Sequence, residues 1–216
     1  MFPLSIHNYF ELAALLISLI CWGRLKDTTF KWFPLFLFLI CFADLYGHYI
    51  RQALSKPNAW LYNISVPIEY LFFAFLFGLN YQTKLFRRVA FIFLPLFFVF
   101  ALSNMAFIQG FVKFNTNILK AGSFFMIVFS CLYFTELLRQ ERHIALLKEP
   151  MFWVATGVLL FNTGDFCYAI FSDYLIQHHF DRTRKLFKLI NNKLVWVLYT
   201  CLIISFLCTK RKSQRV

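Results

Sequence analysis

Seven apolar stretches, each about twenty residues long, constrain this chain more than any other feature. A bilayer core about 30 Å thick is crossed by about 20 helical residues. Leu4–Trp22, Trp32–Ile50, Trp60–Asn80, Val89–Ile108, Asn117–Leu138, Met151–Tyr174 and Leu189–Leu207 all meet that length. The apolar runs are continuous rather than alternating with period two, which excludes a transmembrane β-barrel. Composition agrees: 60% of residues are hydrophobic and 15% charged, with 31 Phe, against about 45–50% and 25% in soluble domains. A soluble fold of 216 residues cannot hide so much apolar surface. Cytosolic enzyme, secreted disulfide scaffold and disordered tail are therefore poor fits. The expected fold is all-α: one domain of seven transmembrane helices over residues 1–208, a basic cytoplasmic tail over 209–216, and the lipid bilayer as first partner.

The short connecting loops carry the charge, and their Lys and Arg bias sets orientation. Arg24, Lys26, Lys31, Lys84, Arg87, Arg88, Arg139, Arg142, Lys148, Lys210, Arg211, Lys212 and Arg215 fall on one side. Arg51, Lys56, Lys113, Arg182, Arg184, Lys185 and Lys188 fall on the other, with Lys120 and Lys193 inside spans. The N-terminus is thus expected outside and the C-terminus inside a cytoplasmic (inner) membrane. The net charge of +12 follows from this bias and a basic sixth loop, so no nucleic-acid partner is needed. The first span lacks a positive n-region and a small-residue cleavage site, unlike a signal peptide. The six cysteines lie within spans or at their inner ends and none are three apart, which indicates neither a disulfide framework nor a CxxC site.

Ionisable residues inside spans are costly, about 2.5–3.5 kcal/mol at a helix centre, and mark functional positions. Here they are Glu11, Asp44, Glu69, Lys120, Asp165 and Lys193, all in the outer half or near mid-depth. His7, His48, Asn63, Asn104, Asn162, Asn191 and Asn192 follow the same trend, whereas the inner half offers mainly hydroxyls such as Ser130, Thr156, Thr200 and Ser205. Glu136 sits close enough to the inner end of span 5 to count as interfacial. The asymmetry predicts an outward-facing polar pocket above a Phe-rich plug. Helical spacing puts His7 with Glu11, Asp44 with His48, and Ser65 with Glu69 on shared faces. Asn162, Asp165, Tyr168 and Ser172 form another row. The expected ligand-binding set is Glu11, Asp44, His48, Glu69, Asn162, Asp165, Asn191, Asn192 and Lys193. The alternative for each amide is a structural hydrogen bond between helices, worth about 1 kcal/mol.

His7, His48, His178 and His179, with Asp173 and Asp181 nearby, lie toward the outer surface. Adjacent His178 and His179 lack zinc-ligand spacing, so neither a metal nor another cofactor is expected. The basic segment from His178 to Lys188 reads as an interfacial helix with snorkelling cations.

Spans 2 and 6 both place Trp and Asp twelve residues apart, at Trp32 and Asp44 and at Trp153 and Asp165. Leu61-Tyr-Asn63 and Leu189-Ile-Asn191 open spans 3 and 7, while Asn8-x-x-Glu11 and Asn117-x-x-Lys120 open spans 1 and 5. These short matches point to a 3+1+3 parallel repeat, the arrangement of SWEET-type sugar carriers. They also nominate Glu11–Lys120 and Asp44–Lys193 as ion pairs.

The signatures of G-protein-coupled receptors, retinal opsins, PQ-loop carriers and seven-span metal hydrolases are absent. So are His-Glu-x-x-His and Gly-x-Ser-x-Gly. Through Pro57-Asn-Ala-Trp-Leu-Tyr-Asn63, Pro67-Ile-Glu69-Tyr70 and Lys148-Glu-Pro-Met-Phe-Trp153, the chain resembles a group of uncharacterised seven-span bacterial membrane proteins. That resemblance implies a seven-span fold and no particular activity.

Three functions compete. A carrier or channel-like protein would hold a small polar solute or cation on Asp44, Glu69 and Asp165. A sensor or receptor subunit would bind its ligand outside and signal to a separate cytoplasmic partner through the basic inner face. An intramembrane enzyme would use Asp44 and His48 as an acid–base pair, but no nucleophile or metal triad accompanies them. The expectation is not an enzyme. Ligand identity and oligomeric state are not legible.

Overall fold

The computed structural model describes residues 6–139, 146–178 and 185–210, and among these no strand occurs. Arg142, His143, His179, Asp181, Arg182, Arg184, Arg211, Lys212 and Arg215 lie outside the described residues, as do the side chains of Asp173, Lys185 and Lys188. The readings of a basic sixth loop, a second outer histidine and a basic tail therefore fall there.

Seven principal helices follow one another: α1 (Ile6–Ile20), α2 (Phe33–Ala53), α3 (Ala59–Asn80), α4 (Lys84–Ser103), α5 (Thr116–Leu138), α6 (Pro150–Gln177) and α7 (Lys185–Cys208). Among the described residues, six helices are long and apolar enough to cross a membrane; α1, with 15 residues, is shorter. The expected first span, Leu4–Trp22, is thus interrupted at its far end. Cys21 leaves helical geometry at φ −81°, ψ 3°, and a separate four-residue helix, Trp22–Leu25, follows. The end at which α1 begins is called the upper end below, and the opposite end the lower.

Expected span edges shift where charge was read as a boundary. The fourth span was expected from Val89, but α4 starts at Lys84, and a turn of π-helix (Asn104–Ile108) extends it. Lys and Arg are good helix formers, so a basic first turn leaves the bilayer without leaving the helix. Other edges follow ordinary rules. Thr28 accepts from Phe30 N–H at 3.2 Å before the short turn leading into α2. Pro34 sits in the first turn of α2, where its missing N–H costs nothing. Tyr81, in extended conformation, stops α3.

Helix α1 packs on α2 and α7, α2 on α3, α3 on α5, α5 on α6, and α6 on α7. This closes a six-helix ring. Helix α4 stands outside it against α3 and α5, and is the least buried of the six long helices. Its groove with α5, about 420 Å³ and lined by Ile92, Phe93, Phe97, Phe125 and other apolar chains, faces outward from the bundle.

The lower half of the ring is aromatic. Phe36 and Phe72 stack with centroids 3.9 Å apart and planes 2° from parallel, and Phe33 meets Phe72 at 5.1 Å and Phe206 at 5.0 Å edge-on. Phe33, Phe73, Phe77, Phe129 and Phe206 are fully buried. Phe–Phe pairs of this kind add about 0.5–1.5 kcal/mol each beyond burial, and bind α2, α3 and α7 into one layer. Close approach elsewhere depends on glycine. A Cβ on Gly164 of α6 would come within 2.2 Å of Leu194 Cδ1, and one on Gly157 within 2.9 Å of Cys201 Cβ. These two positions, two helical turns apart, let α6 and α7 pack backbone to side chain.

Glu136 is buried rather than interfacial, at 7% exposure. Both its carboxylate oxygens accept from Gln82 N–H at 3.1 Å, and it also accepts from Thr83 N–H, the residue that caps α4. A carboxylate from α5 thus satisfies free donors at the start of α4 and complements its positive dipole end. Glu136→Ala should therefore cost about 1–3 kcal/mol, while Glu136→Gln, which keeps one acceptor, should cost less. Thermal melting of both variants in detergent micelles checks this, and equal melting temperatures for wild type and Glu136→Ala would remove the capping role.

Candidate functional site

The upper half of the ring gathers acidic groups from four helices. Counting about 1.5 Å per residue, Glu11 lies about 8 Å below the start of α1, and Asp44 about 14 Å below the upper end of α2. Glu69 lies about 15 Å down α3, and Asp165 about 18 Å down α6, by the same count.

From α1 inward, Asn8 Nδ2 donates to Glu11 Oε2 at 3.4 Å. The Glu11 and Asp44 carboxyls are neighbours, and Tyr62 lies beside Asp44. Gly47 makes that last contact accessible. It lies one helical turn beyond Asp44, and a Cβ there would come within 3.1 Å of the Tyr62 hydroxyl. Glu69, two turns along α3 from Tyr62, feels the charges of both Asp44 and Asp165. It is therefore the link between the α1–α2 pair and α6. Tyr199 on α7 is buried beneath, within reach of the charges of Glu11, Glu69 and Asp44.

His7 closes the upper edge. It lies beside Asn192 on α7 and faces Asp44 and His48. Below it, Phe10 stacks on Trp196 at 5.7 Å, and Lys193 Nζ lies 4.0 Å from the centroid of the Trp196 ring. Glu11 and Asp165 are buried, at 2% and 5% exposure, whereas Asp44, Glu69 and Tyr62 are only half-buried although helices surround them.

Of the residues expected in the site, Glu11, Asp44 and Glu69 come together, with Asp165 beyond Glu69 and Asn192 joined through His7. His48 stands near His7 on the Asp44 face of α2. Asn162 is buried, but its Nδ2 donates at 2.8 Å to Val158 O of its own helix. Asn191 is half-buried and makes no hydrogen bond to these carboxyls. Lys193 is exposed on a tryptophan face. Its expected pairing with Asp44 does not occur: Asp44 meets Glu11, His7 and Tyr62 instead. Nor does Glu11 pair with Lys120, since Asp44, Asn8 and Glu69 surround it. The ring places α1 beside α2 and α7 rather than α5, so the nominated partners are not neighbours.

Two amides near the upper end, Asn63 and Asn104, hold a loop. Asn63 Nδ2 donates to Phe111 O at 2.8 Å and Lys113 O at 2.7 Å, and its Oδ1 accepts from Asn115 N–H at 3.0 Å. Asn104, Gln109, Thr116 and Asn117 form a second network across the same turn. Tyr62 was missed as a site residue; its spacing of seven from Glu69 was the available signal.

Chemically, neighbouring carboxylates only accept hydrogen bonds and repel each other, so a proton or a cation between them is favourable. With Glu69 and Asp165 the group offers oxygen ligands and negative charge, and the exposed Arg51 reaches it only at Tyr62. Among the described residues, no three His, Cys, Asp or Glu side chains are arranged to hold a metal ion. The arrangement suits a proton or a small cation contacted from one side. The residues that carry the resemblance noted above have structural work here: Asn58 Nδ2 donates to Gly47 O at 3.0 Å and Trp153 Nε1 to Leu147 O at 2.9 Å. The chain matches no family model, no curated protein and no solved structure.

Proposed function

We propose that the chain is a seven-span protein of the cytoplasmic membrane, N-terminus outside, that binds a small cation in its upper pocket and carries it across, exchanging it for the proton shared by Glu11 and Asp44. One observation carries this reading: carboxyls from α1, α2, α3 and α6 converge on the ring interior, and the basic side chain that reaches them, Arg51, does so only at Tyr62 on the upper edge. Uncompensated acids are costly in a bilayer, and a proton or a bound cation lowers that cost. Orientation is supported by Arg24, Lys26, Lys31, Lys84, Arg87, Arg88, Arg139, Lys148 and Lys210, which the helix order brings to the lower end. The ring supports a 3+1+3 repeat, since each packing in α1–α2–α3 has its counterpart in α5–α6–α7 and α4 stands apart.

Binding would then replace the shared proton with the cation's charge. Purified protein in weakly buffered detergent with a pH dye should release about one proton per bound cation on addition of sodium, methylammonium or guanidinium ions. Proteoliposomes should take up the active ion in exchange for protons. Saturable binding without proton release would defeat the exchange mechanism.

The aromatic layer favours a second reading. Phe33, Phe36, Phe72 and Phe206 close the path below the carboxyls, as a receptor sealed on its inner side requires. Binding with proton release but no uptake of any of the three ions would select the receptor.

A further inference from the structure

A second site lies at the opposite end of the molecule. A groove of about 460 Å³ is lined by Arg24, Lys148, Leu207, Cys208, Thr209 and Lys210. Its three cations come from three separate places: the short helix after α1, the turn before α6, and the residues after α7. Packing of α7 on both α1 and α6 brings these chain segments together. Local bonds fix the frame. Cys208 Sγ lies 3.5 Å from Leu147 O, Trp153 Nε1 donates to the same carbonyl, and Thr209 Oγ1 donates to Ser205 O at 3.0 Å.

Like charges held around one groove repel, and among the described residues no acidic side chain lines it. Glu149, although next to Lys148, is not among its lining residues. An anion is the missing partner. The groove also has an apolar side. Leu207 and Leu147 are exposed, at 56% and 65%, and Trp22, on the same short helix as Arg24, is 45% exposed. Exposed Trp beside basic residues is the signature of a membrane–water interface, and basic pockets between membrane helices on the inner side bind phosphate headgroups.

The geometry points to a specific anionic-phospholipid site, in which Arg24, Lys148 and Lys210 receive the headgroup phosphate and the acyl chains run along Leu207 and the exposed apolar flank. A freely soluble phosphate would use the cations and have no use for that flank.

Native mass spectrometry of the full chain, exchanged from detergent into mixed micelles, separates these cases. With equal phosphatidylglycerol and phosphatidylcholine, wild type should retain phosphatidylglycerol in about tenfold preference or more. The variant Arg24→Gln/Lys148→Gln/Lys210→Gln should lose that preference, and Lys148→Gln alone should lose part of it. A control with the same charge loss elsewhere at the lower end, Lys26→Gln/Lys84→Gln/Arg88→Gln, should keep it. Equal loss in the control would mean general surface attraction and would overturn the site. Full preference in the first triple variant would do the same. Millimolar inorganic phosphate or glycerol phosphate should not displace the lipid; complete displacement would assign the groove to a soluble phosphate instead.

Discussion

Asp44→Asn combined with Glu11→Gln should abolish cation-linked proton release and reduce cation uptake by about 100-fold or more. Hydrogen bonds to charged groups contribute about 1.5–3 kcal/mol each, and each 1.4 kcal/mol is a factor of ten in binding. One lost carboxylate should thus weaken cation binding about 10- to 100-fold, and two should remove it within a measurable range. The single variants differ in an informative way. Asp44 contacts Glu11, His7 and Tyr62, so Asp44→Asn disturbs both the pair and the upper edge. Glu11→Gln leaves Asp44 with Tyr62 and His7 and should keep part of the binding. Lys193→Gln is the negative control, since that lysine lies on Trp196 and away from the carboxyls; its uptake should stay within about twofold of wild type, below the 1.4 kcal/mol that a tenfold loss represents. Full uptake in the double variant, with its melting temperature unchanged, would show that the carboxyls carry neither transport nor stability.

How far the sequence reaches is clear from these residues. Continuous apolar runs made the helices legible, because only helices and closed barrels satisfy backbone groups in lipid and barrels need alternating runs. The convergence of Glu11, Asp44 and Glu69 was also legible, since acids in spans must face protein rather than lipid. The amides were not. Asn63 and Asn192 lie at similar depth and carry the same groups, yet one clamps the loop at Phe111–Asn115 and the other meets His7. The deciding factor is where the chain returns after α4, which periodicity does not encode. Lys193 failed for a related reason. Its long stem reaches an aromatic face on its own helix, and Asp44 has nearer partners. Glu136 was misread because charge near a span end resembles an interface, whereas its partners are the donors opening α4.

Gly122→Leu should prevent stable folding, for reasons that lie next to the carboxyl group. Tyr70 follows Glu69 on α3, and its ring lies flat enough on α5 that a Cβ at Gly122 would meet Tyr70 Cε2 at 2.2 Å. The ring has no free direction: it is buried at 3% exposure, edge-on to Phe97 at 5.7 Å, and its hydroxyl is 2.9 Å from Ser123 Oγ and 3.4 Å from Leu119 O. Overpacking a core costs about 1–3 kcal/mol when neighbours can shift, and here the neighbour is a ring held at both ends. Loss of a monodisperse peak in size-exclusion chromatography is the expected result. Because misfolding alone is ambiguous, the cause is tested by compensation. Tyr70→Ala should itself cost about 3–5 kcal/mol by leaving a cavity, and Gly122→Val in that background should recover part of the loss by filling it. The two substitutions would then be coupled by about 1 kcal/mol or more in the stabilising direction. Additive losses would show that Gly122 is needed for something other than the seat of Tyr70.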